Sequence, residues 1–340
     1  MTGRGKPVVV ASFGAGPHAV AAEMLQAAGC DVRVIPASAG EWTAALIAEF
    51  APVADAWIGT FPRLTLPRAV LEHAPRTRVI ASSIIGTETI DVAAATDLGI
   101  VVAHGAVAEN YDGMAEAGVM LIAALLKNLP GKVAALAEGR WKPIPAGRMV
   151  DGAVIGMIGL GRIGQGIARR LAGWNCRIVA TDPYVDPLLA ARLDVEMLPL
   201  DQLLAQADVV LPLVTLSAET RNIIDRAAIA RMKRGAVLIN MGRGGCVDET
   251  ALLEALDSGH LSGAAIDTWD IEPTPLDNPL RRHPRVIATG HAVGHSEELY
   301  RRLPVVAAEN VLLGLAGKKP LHVRNPEVLG AWHERMAALD

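Results

Sequence analysis

An apolar run, GAVIGMI, passes directly into GLGRIGQG and then into an amphipathic stretch, so Gly159, Gly161 and Gly164 fall in GxGxxG spacing at a strand-to-helix turn. Few local patterns restrict a fold more, because each glycine has a separate physical task. Gly159 permits the tight turn. Gly161 lets main-chain N–H groups approach a pyrophosphate at the helix N-terminus, and Gly164 lets helix and strand pack closely. Arg162 and Ile163 share that turn and are expected at the phosphates. Asp182, eighteen residues past Gly164 at the end of the next strand, can accept hydrogen bonds from ribose hydroxyls and would repel a 2′-phosphate. NAD is therefore expected in preference to NADP. The plainer alternative for Asp182-Pro183 is a turn cap.

The surrounding chain supplies the alternation such a turn needs. At 340 residues the chain exceeds what one core comfortably serves, so two domains are expected. Strand-like runs PVVVAS, DVRVIP, ADAWIG, TRVIASS and GIVVAH alternate with Ala- and Leu-rich stretches up to about residue 105. This predicts a parallel sheet with crossover helices. A helix is expected over Tyr111 to Leu129, stopped by Pro130-Gly131, followed by a polar connector around Trp141. AVIGMIG, CRIVATD, ADVVLPL, GAVLIN, GAAID and RVIAT then predict six more strands. Helices are expected around 163 to 173, 202 to 206, 226 to 232 and 249 to 257. Ser296 is a good N-cap with Glu297 and Glu298 in the first turn, so a further helix starts there, with a kink expected at Pro304.

Composition excludes several classes. A net charge of −4 without a basic block offers no field for nucleic acid or an anionic membrane. Cys30, Cys176 and Cys246 are few, odd in number and dispersed, which predicts neither a disulfide framework nor a metal site and suits a reducing cytoplasm. The apolar run before Gly14 is short for a signal-peptide core, and AGVMLIAALL at 117 to 126 reads as a buried helix.

Three further stretches, VLINMGRGGCVDETALLEAL, AAIDTWDIEPTPLDNPL and VIATGHAVGHS, together with GLGRIG, resemble the NAD-dependent D-2-hydroxyacid dehydrogenase family over nearly the whole chain. The resemblance implies a catalytic set of Arg243, Glu272 and His291. The residue types suit the chemistry. A guanidinium grips an α-keto acid's carboxylate and polarises the adjacent carbonyl. As hydride reaches C2, the carbonyl oxygen gains charge and needs a proton, which His291 would give and take back. Glu272 would hydrogen-bond the other ring nitrogen and tune the histidine. The resemblance also puts Asp267 and the main chain near Met241 at the nicotinamide carboxamide, and counts Thr215, Thr220 and Gly294 among cofactor contacts.

Two departures stand out: Gly290 occupies the family's proline before the histidine, and Leu213 and Thr215 replace a histidine and a proline. In SSIIGTETID, residues Ile84, Ile85 and Gly86 occupy the loop that offers amides to the substrate carboxylate in the family. No Lys or Arg stands in that run, which favours a small, partly apolar 2-oxo acid over a phosphorylated one. Cys246, Tyr111 and His104 are expected to pack rather than react. The two histidines of TGHAVGHS would share a face on a helix as a zinc pair does, but Gly290 and Gly294 disfavour a helix there. His291 is thus expected to act alone, with His295 in a turn or lining the pocket.

The expected architecture is α/β: two doubly wound parallel-sheet domains, a Rossmann NAD domain inserted in a flavodoxin-like substrate domain. Residues 1–105 with 295–340 form the substrate domain and 106–294 the cofactor domain. The resemblance implies a cytoplasmic homodimer acting on a small 2-oxo/2-hydroxy acid, with no metal, nucleic acid or membrane partner. Alternatives within the family are a formate dehydrogenase, which carries glutamine where Glu272 stands, and an NADH-sensing corepressor that binds peptides.

Overall fold

Runs of β-branched and aliphatic residues with no polar alternation make strands buried on both faces, and such strands pair in parallel beneath crossover helices. A computed structural model describes residues 5–12, 19–36, 38–60, 64–142 and 146–339. The segment with Gly14 and residues 143–145 of the connector lie outside the described residues. The chain divides into two compact units, Met1–Glu109 with Ser296–Asp340, and Asn110–His295.

The first unit holds β1 (Val8–Ser12), β2 (Asp31–Val34), β3 (Ala56–Gly59), β4 (Val79–Ser82) and β5 (Val101–Ala103), all parallel, in the order β2-β1-β3-β4-β5. This is the flavodoxin-like winding. Every residue of β3 and β4 is buried. The returning helix Glu297–Leu315 covers one face through Ala307, Ala308 and Val311, and Gly314 lets it approach Val79 closely. Ser296 caps that helix by accepting from Leu299 N–H. Pro304 lies inside this helix, which is continuous from Glu297 to Leu315.

The second unit holds β6 (Val154–Ile158), β7 (Arg177–Thr181), β8 (Val195–Met197), β9 (Val209–Pro212), β10 (Val237–Asn240), β11 (Gly263–Ile266) and β12 (Val286–Ala288). Their order, β12-β11-β10-β9-β6-β7-β8, is the Rossmann winding extended by one strand, with the switch point between β6 and β9. All six expected strands form. The additional strand, β8, is a three-residue edge with only Val195 buried, too short and too polar to stand out in sequence. Helix Pro187–Arg192, six residues long, was likewise not expected from sequence.

Pro130 does not stop the helix before it. The first helix is Ala108–Leu126, and Pro130 falls in the first turn of a new one, Leu129–Ala137, after Asn128 turns left-handed at φ 51°. A proline terminates a helix only from inside it; in the first turn its missing N–H is no loss. No single described helix is long and apolar enough to cross a membrane, and this pair, which passes on length and composition together, is bent by 59°. The longer helix buries Leu121, Ile122, Leu125 and Leu126 in the core of the unit.

Both sheets begin on the same device. An aspartate just before a strand that flanks the first one accepts from that first strand's leading N–H: Asp55 Oδ2 from Val8 at 2.8 Å, Asp208 Oδ2 from Val154 at 2.9 Å. Cations then satisfy each carboxylate, Arg76 at Asp55 and Lys233 with Arg148 at Asp208. At Asp208 desolvation raises the pKa, but the Lys233 bond, the Val154 N–H and the two positive charges outweigh it and hold the group below the usual carboxylate value.

Candidate dinucleotide and acid–base site

The glycine turn closes β6 at the switch point. Gly159 has φ +98°, the region that favours glycine. A Cβ at Gly164 would lie 2.9 Å from Gly159 O, so the third glycine is required by the close packing of helix on turn. At Gly161, the N-cap of helix Arg162–Leu171, a Cβ would meet nothing within 4 Å. That open side is where a phosphate fits against the N–H groups. Asp182 Oδ2 accepts from Leu160 N–H at 2.8 Å and Oδ1 from Tyr184 N–H at 2.9 Å, so it braces the turn, and a carboxylate keeps lone pairs for further donors. Ile163 packs on the core, and Met241 is buried beside it. Both therefore offer main chain, not side chain, to a ligand.

Leu213 fills apolar space over the turn, with its carbonyl 3.2 Å from where a Gly159 Cβ would stand. The Thr220 hydroxyl is engaged within its own loop, donating to Thr215 O at 2.6 Å and accepting from Ser217 N–H at 2.7 Å. Gly294 is a packing requirement: its Cβ space is taken by Met114, and Gly113 lies against its carbonyl. Tyr111, expected to pack rather than react, also binds Arg162, its hydroxyl 2.7 Å from Nη1.

The candidate acid–base group is built from three loops at the ends of β10, β11 and β12. Asp267 ends β11 with its side chain folded onto the loop after β12. Its Oδ1 accepts from Thr289 Oγ1 at 2.7 Å, Ala292 N–H at 2.8 Å and Val293 N–H at 3.1 Å, and its carbonyl accepts from His291 N–H at 2.7 Å. These bonds hold His291 at φ +56°, a conformation that a non-glycine residue keeps only when its surroundings impose it. His291 is therefore in a turn, not on a helix, and the zinc-pair geometry does not form. His291 Nδ1 lies 2.8 Å from Glu272 Oε2, and Glu272 Oε1 accepts from Trp269 N–H at 2.9 Å. The imidazole is thus oriented through one nitrogen and partly exposed at 47% of its side-chain surface.

Arg243 follows β10. Asn240, 3% exposed, donates Nδ2 to Arg243 O at 3.2 Å and to Thr268 O at 3.4 Å, tying its loop to the one carrying Trp269 and Glu272. Gly244 allows this approach, since a Cβ there would overlap the Trp269 carbonyl. Asn240, Gly244, Trp269 and Thr289 are site residues that sequence reasoning missed. The available signal was a polar or glycine residue at or shortly past the end of an apolar strand, as at Asn240, Gly244 and Thr289; Trp269 carried none. Burial raises the Cys246 thiol pKa against the pull of Arg243, Thr220 and Arg221, as suits a packed residue. Desolvation, opposed by Asp267 and aided by the His291 charge, lowers His295 below the ordinary histidine value.

Asp267 Oδ2 is buried and meets no donor among the described residues. A buried acceptor without a donor is costly, and an amide NH2 such as that of nicotinamide would satisfy it. With the open side at Gly161, the residues present fit a dinucleotide.

Ile84, Ile85 and Gly86 lie in the first unit, after β4. Ser82 Oγ lies 3.1 Å from both Ile84 O and Gly86 O. Because trans peptides set N–H opposite C=O, the N–H groups of Ile85 and Thr87 point away from Ser82. Thr87 Oγ1 also receives Arg324 Nε at 3.4 Å, a cation from 237 residues along the chain.

Comparison with known proteins agrees with this geometry. Residues 119–293 match the NAD binding domain of the D-isomer specific 2-hydroxyacid dehydrogenases. The chain is 38% identical over 255 residues to D-3-phosphoglycerate dehydrogenase of Mycobacterium bovis, covering 75% of this chain and 48% of that protein; it spans about half the length of that relative. It is 36% identical over 267 residues to glyoxylate reductase of Korarchaeum cryptofilum, covering 76% of this chain and 80% of the relative. The TT0316 protein from Thermus thermophilus superposes with a TM-score of 0.81 at 30% identity, over 93% of this chain and 99% of that one. The chain belongs to the D-isomer specific 2-hydroxyacid dehydrogenase family and carries its NAD-binding domain.

Proposed function

We propose that this chain interconverts a small 2-oxo acid and the corresponding D-2-hydroxy acid, with His291 as acid and base, Glu272 as its tuning partner and Arg243 as the carboxylate and carbonyl anchor. The observation that carries this is the Glu272–His291 bond at 2.8 Å, itself braced by Trp269 N–H. A carboxylate on Nδ1 leaves Nε2 to the substrate and fixes the ring's direction. In reduction His291 begins with both nitrogens protonated. The Nε2 proton passes to the carbonyl oxygen as negative charge develops there, while the Nδ1 proton stays on the ring, donated to Glu272. Oxidation reverses the transfer. Arg243 holds the acid's carboxylate in plane and draws electron density from the carbonyl. The reduced nicotinamide, when bound, supplies the reducing equivalent at C2. Asp267 holds the His291 turn through Oδ1 and offers Oδ2 to the carboxamide.

In this reading the Asn110–His295 unit is the cofactor domain and the other unit, which carries the Ile85 and Gly86 loop, the substrate domain. Asp182 selects NAD over NADP. Exposed Leu129, Val133 and Leu136 recur at i, i+4 and i+7 on helix Leu129–Ala137, an apolar face of the kind a homodimer would cover. Arg324 beside Thr87 favours a second reading of substrate charge: an acid with a further anionic group would find a cation near the loop.

The test is NADH oxidation by the purified chain against glyoxylate, hydroxypyruvate, phenylpyruvate, branched 2-oxo acids and 3-phosphohydroxypyruvate. His291→Ala is expected to lose turnover by at least about 100-fold while NADH still binds. Unchanged turnover would refute the role of His291. Formate oxidation without 2-oxo acid reduction, or NADH-dependent peptide binding without turnover, would support the two alternatives instead.

A further inference from the structure

Arg162 is a cation where the local field does not favour one. It is the first residue of helix Arg162–Leu171, whose first turn carries no acidic residue. A helix N-terminus is the positive end of the dipole, so a guanidinium there is unfavourable until an anion joins it. Among the described residues no carboxylate pairs with Arg162. Of the acids on the facing helix, Asp112 and Glu116 are taken by Arg170, at 3.0 and 3.4 Å, and Glu109 makes no ion pair with Arg162. Its partner is Tyr111. The phenol oxygen lies 2.7 Å from Nη1, and the ring face lies 4.7 Å from Cζ.

A tyrosine holds a guanidinium without cancelling its charge. One donor and one face are used; Nε, Nη2 and the opposite face stay available to an anion. The helix that carries Tyr111 is itself fixed at close range. A Cβ on Gly166 would lie 2.7 Å from Ala115 Cβ, and one on Gly118 would lie 2.7 Å from Ile167 Cδ1, so small residues bring the two helices together. Tyr111 therefore offers its hydroxyl and ring from a backbone packed against the Arg162 helix.

We propose that Tyr111 is a positioning residue for dinucleotide binding, ordering the Arg162 guanidinium in advance at the open side of Gly161, where the pyrophosphate is received. The proposal rests on the reading of the glycine turn as the NAD phosphate site. Its physical content is preorganisation: a long, rotamer-rich side chain is ordered during folding, and less ordering remains for the ligand to impose. It also gives Tyr111, in the stretch AENYDGMAEAG, a purpose that core packing does not explain.

The experiment measures Kd by calorimetry for NADH, ADP and adenosine on the wild type, Tyr111→Phe, Tyr111→Leu, Arg162→Gln and the Tyr111→Leu/Arg162→Gln double variant. Tyr111→Leu is expected to weaken NADH and ADP by about five- to tenfold, the worth of one ordered side chain, and adenosine by less than about twofold. Tyr111→Phe keeps the ring under the cation and is expected to lose about two- to threefold on ADP. In the Arg162→Gln background, Tyr111→Leu should have no further effect on ADP. Equal weakening of ADP and adenosine would mean a merely structural tyrosine and overturn the proposal. So would tighter ADP binding by Tyr111→Leu, which would make the tyrosine a competitor, or an undiminished effect without Arg162. A wild type that binds neither NADH nor ADP would overturn the cofactor reading itself.

Discussion

Gly244→Ala tests whether the Arg243 loop and the Glu272 loop work as one piece. A Cβ at Gly244 would overlap the carbonyl carbon and oxygen of Trp269 and press on Asp270 N, all main chain, far inside the 3.0 Å that real Cβ atoms keep. Backbone cannot rotate out of the way as a side-chain tip can. The loops must separate by about 1 Å, and misplacement of that size typically costs on the order of 100-fold in rate. The movement has a defined route. The Asn240 bonds to Arg243 O and Thr268 O, already 3.2 and 3.4 Å, would break. Trp269 N–H would shift against Glu272 Oε1, and Glu272 Oε2 carries the shift to His291 Nδ1. Overpacking of this kind costs roughly 1–3 kcal/mol, or a fall in Tm of roughly 5 °C for a chain this long. The expected outcome is kcat/KM on the best 2-oxo acid reduced by about 100-fold, with calorimetric ADP affinity little changed because the glycine turn lies elsewhere. Gly290→Ala is the control: a Cβ there meets nothing within 4 Å, and its turnover should stay near wild type. A Gly244→Ala enzyme with near-normal kcat/KM would refute the reasoning, since the register between the two loops would then not matter.

Asp182→Ala should bring NADP and NAD affinities closer together by removing the charge that repels a 2′-phosphate. It should also weaken both, because Asp182 braces Leu160 N–H in the glycine turn; an unaltered NAD-to-NADP ratio in paired titrations would count against the ribose contact. Asp208→Asn tests the sheet-opening device. A folded pKa below the unfolded value adds stability that is present above the unfolded pKa and lost as pH falls through the folded one. Losing charge-assisted bonds to Lys233 and Val154 N–H, with the lysine partly exposed, should cost about 1–2 kcal/mol at neutral pH. In urea titrations from pH 7 towards 3 the gap between variant and wild type should close below about pH 4. A gap that stays constant across that range would show that the charge of Asp208 plays no part.

Eleven strands were legible, most of them as local apolar runs, as VVVAS and VIGMI are, whereas DVRV is half charged and was legible together with the Ile35 that follows it. β8 was not, because its burial depends on β7 beside it and not on its own three residues. Pro130 shows the complementary error: proline chemistry does mark a helix boundary there, but whether that boundary is an end or a beginning depends on Asn128 adopting φ 51°. At the site, His291, Glu272 and Asp267 were identifiable from their motifs. That a left-handed backbone aims His291, and that one Asp267 oxygen holds the turn while the other stays without a donor, was not.

The sequence by itself determined the alternation of strand and helix, the glycine turn and the residue types able to bind a dinucleotide and move a proton, because periodicity and main-chain freedom are properties of neighbouring residues. Only the tertiary structure decided which distant groups meet. Tyr111 reaches Arg162 across 51 residues and Arg324 reaches Thr87 across 237, and Gly244 is a glycine because of a carbonyl 25 residues further on. Those contacts depend on how helices and loops pack around the sheets, and no local spacing along the chain encodes that distance.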